Sequence, residues 1–220
     1  MADQGSLNQL LQWGIEHSNP DANPDTAAQT ANQRRDPNRG LDANALAELL
    51  GGPSDADRMK GAMTAIVAPL DIVDLENKLI AWDNFEQLIE GIDNANNLDS
   101  LGLWPPLIQQ LDNPEAQMRR MAAWCISSAV QNNVKCQEKL LGLNVMEKLV
   151  GLATEDPEQS VRKKATTALS SEVRNFQPGL DELMRVLPKS VWGGSSRLDA
   201  GDMDAVDEVI GTLRQNAARA

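Results

Sequence analysis

The chain has 220 residues, 41% of them hydrophobic and 24% charged, an ordinary globular composition that excludes a wholly disordered or fibrous polypeptide. Its net charge is −12, with 6 basic and 17 acidic residues in positions 1–110 against 14 and 15 in 111–220. A balance this acidic argues against nonspecific nucleic-acid or membrane binding, which needs a basic surface.

In chain order, SLNQLLQWGIEHS (6–18) has the spacing of a short amphipathic helix, with Ser6 as its N-cap. Residues 19–40 hold three prolines and no Val, Ile, Leu, Met, Phe or Trp, so they read as a flexible linker. Short helices are expected at 42–50 and 54–67, separated by Gly51-Gly52-Pro53. From about residue 73, long amphipathic helices at 74–92, 115–132 and 158–175 alternate with shorter ones at 104–111, 134–141, 145–153 and 179–188. The second and third long helices open with Pro114-Glu115 and Pro157-Glu158, proline suiting the first turn and acid the positive dipole end. Residues 189–201 read as a second loose segment before a final amphipathic helix at 202–217.

The long helices repeat. MRRMAAWCISSAVQNN (118–133) aligns without a gap on VRKKATTALSSEVRNF (161–176) at an offset of 43 residues, and a weaker copy pairs Ala81-Trp82 with Ala123-Trp124 at an offset of 42. A helical period of this length falls in the armadillo/HEAT range. The expected fold is all-α: a short armadillo-like solenoid over 41–188, an N-terminal arm over 1–40, and a linker with a capping helix over 189–220. Such stacked units share one core and offer an open face for extended contacts.

The residue inventory disfavours catalysis. His17 is the only histidine, there is no tyrosine, and neither Gly51-Gly52 nor Gly193-Gly194 has the lysine and context of a phosphate loop. No metal, cofactor or catalytic residue is expected. Cys125 lies in a core-like run, and two cysteines without a disulfide framework indicate a reducing compartment. No basic start with a long apolar run opens the sequence, and no apolar stretch approaches the ~20 residues of a membrane span. A cytosolic or nuclear monomer is expected.

The repeats supply the candidate contacts. Trp82 with Glu86 and Trp124 with Ser128 lie at i, i+4 on one helical face, with Thr167 and Ser171 in the third copy. They read either as a ladder of groove contacts or, for the tryptophans, as core between repeats. Glu86, Glu90, Asp93 and Asp99 form an acidic cluster that suits a basic partner. The run DNANN (93–97) and Asn132-Asn133 close long helices with Asx-type turns. Arg162-Lys163-Lys164 reads as solvated helix surface. The arm's Leu10, Leu11, Trp13 and Ile15 form either a cap on the repeats or an apolar bait on a tether.

LLQWGIEHS, LLGGPSDADRMKGAM, DLENKLIAWDNFEQLIEGIDNANNL, AVQNN and VRKKATTALSS closely resemble the fungal Fes family, over about residues 7–215. These are armadillo-type nucleotide-exchange factors of the DnaK-type, seventy-kilodalton heat-shock chaperones. The resemblance implies that the concave repeat face embraces lobe II of the chaperone's ATPase domain. Binding then opens the nucleotide cleft and releases ADP; the family also includes a class in the endoplasmic reticulum, and the lack of a signal-peptide pattern makes a cytoplasmic location the expectation here. It maps the family's functional alanine to Ala95, between Asn94 and Asn96; Asn132, Ser171 and Arg174, from the repeated helices and their ends, complete the candidate contacts. It gives residues 1–40 a part in freeing clients through the chaperone's substrate-binding domain. This chain runs out after its third long helix, where better-known members carry about four repeats. A generic armadillo adaptor for extended peptides is the alternative; it would need several Trp–Asn pairs, and this sequence has Glu86 and Ser128 at the paired positions.

Overall fold

The computed structural model describes residues 52–194 and 197–219. The arm residues Leu10, Leu11, Trp13 and Ile15, and the helix expected at 42–50, lie outside the described residues. From Asp55 onward the chain forms one unit, all helical among the described residues.

The helices are α1 (Asp55–Val67), α2 (Leu75–Ile89), α3 (Ile92–Ser100), α4 (Trp104–Gln109, continued by a 3-10 turn Gln110–Asp112), α5 (Ala116–Val130), α6 (Val134–Gly142), α7 (Met146–Glu155), α8 (Gln159–Val173), α9 (Gln177–Val186) and α10 (Met203–Ala217). The long helices stack in order, α2 on α5, α5 on α8 and α8 on α10; α1 covers α2. Behind them α3, α6 and α9 form a second row, with α7 against α8, α9 and α10. Each helix alone would leave an apolar stripe wet, and stacking closes one continuous core from Met59 to Leu213.

One expected element divides in two. The first long helix ends at Ile89, and DNANN lies inside α3 instead of in a closing loop. Gly91, with extended backbone (φ −71, ψ 122), breaks the helix and lets α3 restart. Ala95 and Leu98 then turn the apolar side of α3 into the core.

The repeat has a joint that recurs in chemistry as well as in position. Lys78, Arg119 and Arg162 are each the fourth residue of a long helix. The Lys78 ammonium donates to the carbonyls of Ile66 (2.7 Å) and Ala68, the unpaired end of α1. Arg119 donates to the carbonyls of Asn113 and Pro114 (both 2.9 Å), and Arg162 to those of Asp156 (2.7 Å) and Pro157 (3.0 Å). Each arginine also reaches one repeat onward: Arg119 grips the Asp156 carboxylate with two bonds (2.7 and 3.1 Å), and Arg162 bonds the carbonyls of Ala217 (3.2 Å) and Arg219 at the end of α10. Arg162 is therefore buried, a correction to its reading as solvated surface: an early long-helix position faces the preceding loop. Lys163 beside it is exposed.

The segment 197–200 is pinned. The Asn175 amide donates to the Ala200 carbonyl (3.0 Å), Gln177 bonds the Ala200 amide (2.9 Å), and Ala200 is buried. This corrects its reading as loose and sets the start of α10.

Candidate partner-binding site

Helix bounds fix the register of the long helices. α2, α5 and α8 each span 15 residues, starting at Leu75, Ala116 and Gln159. The structural offset between the first two is thus 41, one less than the Ala-Trp match suggests. One residue on an α-helix is a rotation of about 100°. The true rungs are Asp83, Trp124 and Thr167; Gln87, Ser128 and Ser171; and Glu90, Gln131 and Arg174. All nine lie on the open side, exposed or half-buried.

The same register places Trp82 opposite Ala123 and Thr166, in the core. Trp82 is 0% exposed, packs edge-on against Phe85 at 6.1 Å between ring centroids, and donates its indole N–H to the Met118 sulfur at 3.3 Å. As a groove contact Trp82 is corrected: no atom of it reaches the surface. Trp124 is half-buried, with the Lys164 ammonium 3.6 Å from its ring centroid, a cation–π contact bridging α5 and α8. Desolvation first, then the Arg120 charge, lowers the Lys164 pKa, and Glu86 opposes this.

Beneath the rungs runs a polar seam. Glu86, nearly buried, accepts a 2.6 Å bond from the Ser128 hydroxyl; Ser127 and Ser171 share one of 2.9 Å. These bonds tie α2 to α5 and α5 to α8. Glu86 is accordingly a strut inside the ladder, while Glu90 is free to solvent at its end. Asn132 is exposed in the left-handed region (φ 53) after α5, and Asn175 repeats this after α8 (φ 56). Arg174 donates to Ser170 (3.1 Å) and to the Met203 sulfur (3.4 Å), and pairs with Asp207 of α10. A polar cleft between α5 and α8 is lined by Ser127, Asn132, Thr167, Ser171 and Arg174.

The DNANN residues sit off this ladder. Ala95 is 2% exposed, and its carbonyl receives the Cys136 thiol of α6 at 3.4 Å. Ala95 therefore lies in the core and not on the exposed ladder. The half-buried Asn94 donates to the Leu88 carbonyl (3.0 Å) and to Asp55 (3.1 Å), locking α3 onto α2 and α1. Asn96, also half-buried, lines the cleft between α3 and α6 with Cys136 and Lys139. Burial pushes the Cys136 thiol up to about 11, and holds the fully buried Cys125 well above its ordinary value, so neither has thiolate character at neutral pH.

Two groups escaped the sequence reading. Asp207 sits on an amphipathic helix whose neighbours the sequence does not reveal. Glu172 is 0% exposed with neither carboxylate oxygen hydrogen-bonded, and burial raises its pKa to about 9. It occupies the core position held by Ala129 one repeat earlier, so the gapless alignment contained the anomaly. No group of three metal-ligating side chains occurs among the described residues.

A unit of stacked helical repeats with polar side chains along one open side is an armadillo-like architecture. The pattern of the family described as "Nucleotide exchange factor Fes1" matches residues 7–98, and that of the "SIL1/FES1/HPBP1 C-terminal domain" matches residues 94–186. A protein of Coccidioides immitis (strain RS), "Hsp70 nucleotide exchange factor FES1", is 51% identical over 210 residues, covering 95% of this chain and 97% of that one. Relatives carrying the same description from Gibberella zeae and Neurospora crassa are 47% and 46% identical, with coverage of 98% or more of either chain. The chain belongs to the Fes1 family of nucleotide exchange factors.

Proposed function

We propose that this protein is a nucleotide-exchange factor of Hsp70, a co-chaperone that grips the chaperone's ATPase domain and speeds ADP release, freeing client. The observation that carries this is identity near one half, along essentially the whole chain, to relatives described as Hsp70 nucleotide exchange factors. The work needs no covalent chemistry, and we propose that the protein is not an enzyme. It is enough that it binds an opened ATPase lobe more tightly than a closed one, which shifts the population toward the opened form.

The exposed side of α2, α5 and α8 is the surface we assign to that contact. Trp124 supplies an aromatic anchor, and Ser128, Asn132, Ser171 and Arg174 supply hydrogen bonds around it. The α2 stripe is acidic at Asp83 and Glu90, while the α8 stripe carries Lys163 and Arg174. A face with opposite charges at its two ends favours one docking direction. The cross-repeat bonds at Glu86–Ser128, Ser127–Ser171 and Arg119–Asp156 support a stiff ladder. Stiffness matters, because a yielding ladder would adapt to the closed lobe. The generic adaptor reading loses ground, since Trp124 is the one tryptophan among the rungs.

We also propose a cytoplasmic location, from two buried cysteines left unpaired. No helix among the described residues is long and apolar enough to cross a membrane. For residues 1–40 we propose a separate arm that engages the substrate-binding domain through Leu10, Leu11, Trp13 and Ile15. The test is release of labelled ADP from an Hsp70 ATPase domain, with the full chain and with residues 1–40 removed. The full chain at substoichiometric amounts should accelerate release, and the truncated chain should accelerate it equally while losing client release. No acceleration at micromolar concentration contradicts the proposal.

A further inference from the structure

We infer that Asp207, on the terminal helix α10, is a positioning residue for the chaperone contact, holding the Arg174 guanidinium in the orientation that the groove presents. The inference rests on the exchange-factor reading and on Arg174 as a groove residue.

Arg174 follows the last residue of α8, at the end of the third rung, and borders the polar cleft of Ser127, Asn132, Thr167 and Ser171. An unrestrained arginine samples many rotamers, and ordering it on binding costs affinity. Here three different groups hold its three nitrogens. Nε donates to the Ser170 hydroxyl at 3.1 Å, one terminal nitrogen to the Met203 sulfur at 3.4 Å, and the other to the Asp207 carboxylate. Two of the three holders belong to α10, outside the region that the family's C-terminal pattern covers. A guanidinium has five N–H donors. The three bonds use one on each nitrogen, which leaves one N–H on each terminal nitrogen for a partner. The Arg174 side chain is 28% exposed and lines the polar cleft between α5 and α8.

The helix that carries the carboxylate is held in place, while the Asp207 side chain itself is 53% exposed. α10 packs on α8 and α7, its core stripe Val206, Val209, Ile210 and Leu213 is fully buried, and Asp202 caps its first turn by accepting from the amides of Asp204 and Ala205. Asp207 follows one of those buried anchors directly. The terminal helix therefore takes the place of a further repeat and also orients a side chain of the repeat before it.

The experiment measures ADP release from an Hsp70 ATPase domain as a function of full-length protein, for wild type, Asp207→Asn, Asp207→Glu, Arg174→Ala and the Asp207→Asn/Arg174→Ala pair. Asp207→Asn should raise the half-maximal concentration about 3- to 10-fold with the saturating rate and the melting temperature little changed, and Asp207→Glu should recover most of the loss. With Arg174 already alanine, Asp207→Asn should change the half-maximal concentration less than about twofold. An unchanged or lowered half-maximal concentration for Asp207→Asn overturns the inference, as does an equal loss with Arg174 absent. If wild type itself fails to accelerate release, the exchange-factor reading falls and this inference with it; an active wild type with an indifferent Asp207→Asn removes only the positioning role.

Discussion

Trp82 and Trp124 stand on adjacent long helices in opposite surroundings, one sealed in the core and one half-open on the ladder. Truncation should separate them. Trp82→Ala should cost about 3–5 kcal/mol of stability in denaturant unfolding, the usual cost of emptying a buried aromatic site. Trp124→Ala should leave the unfolding midpoint within about 1 kcal/mol and instead weaken Hsp70 binding roughly tenfold or more, read by titration. Glu172 gives a pH test. Its folded pKa of about 9 lies above the ordinary carboxylate value, so its neutral form is the one the core accepts. Its contribution is therefore fully present below the unfolded pKa and lost as pH rises toward 9, at up to about 1.4 kcal/mol per pH unit. Glu172→Gln should be near neutral at pH 5 and stabilise by about 2–4 kcal/mol at pH 8 in urea titrations. Equal effects at both pH values would contradict the buried, neutral carboxyl. These residues also mark what the sequence made legible. The apolar stripes around Trp82 and Trp124 were plain, but a tryptophan suits core and interface alike, so only the helix register could separate the two.

At the scale of the element, basic residues four positions into α2, α5 and α8 join the repeats. Arg119 has its pKa raised chiefly by the hydrogen bond to Asp156, and the pair is nearly sealed from water. Removing one partner strands the other charge. Arg119→Ala should cost about 3–5 kcal/mol, well beyond a surface ion pair. The pairing Arg119-with-Arg162 was visible in the gapless alignment, yet its role was not, because the carbonyls these side chains meet come from loops and from α10. α3 is a second case. Ala95 is buried in the core cluster, so Ala95→Arg should act by unseating α3, lowering the melting temperature by several degrees as exchange activity is lost. Full loss of exchange at unchanged melting temperature would instead make Ala95 a direct contact. The helix expected at 74–92 ran straight through Gly91, where the break before α3 falls, and the asparagine-rich composition of DNANN favoured a turn over a helix; packing of Ala95 and Leu98 on the core overrode that local preference.

From Asp55 onward the molecule is a set of repeats that cannot bury their apolar faces singly and so form one tied stack. The period could be read from residues 118–133 and 161–176, and the all-helical class and order of elements from the amphipathic spacing along the chain. The face used for binding could not, since a 42-residue offset and a 41-residue offset differ by a quarter-turn of helix and present different side chains. The account's central claim is a preference for the opened ATPase lobe, and thermodynamic linkage makes it measurable without kinetics. If this protein weakens ADP binding by some factor, ADP must weaken the protein's own binding by the same factor. The decisive measurement is the Kd of the full chain for an isolated Hsp70 ATPase domain, by calorimetry, with the nucleotide site empty and with it saturated by ADP. The account predicts binding at least tenfold weaker with ADP, matched by an equal loss of ADP affinity in the reverse titration. Equal affinity for the two forms would contradict it.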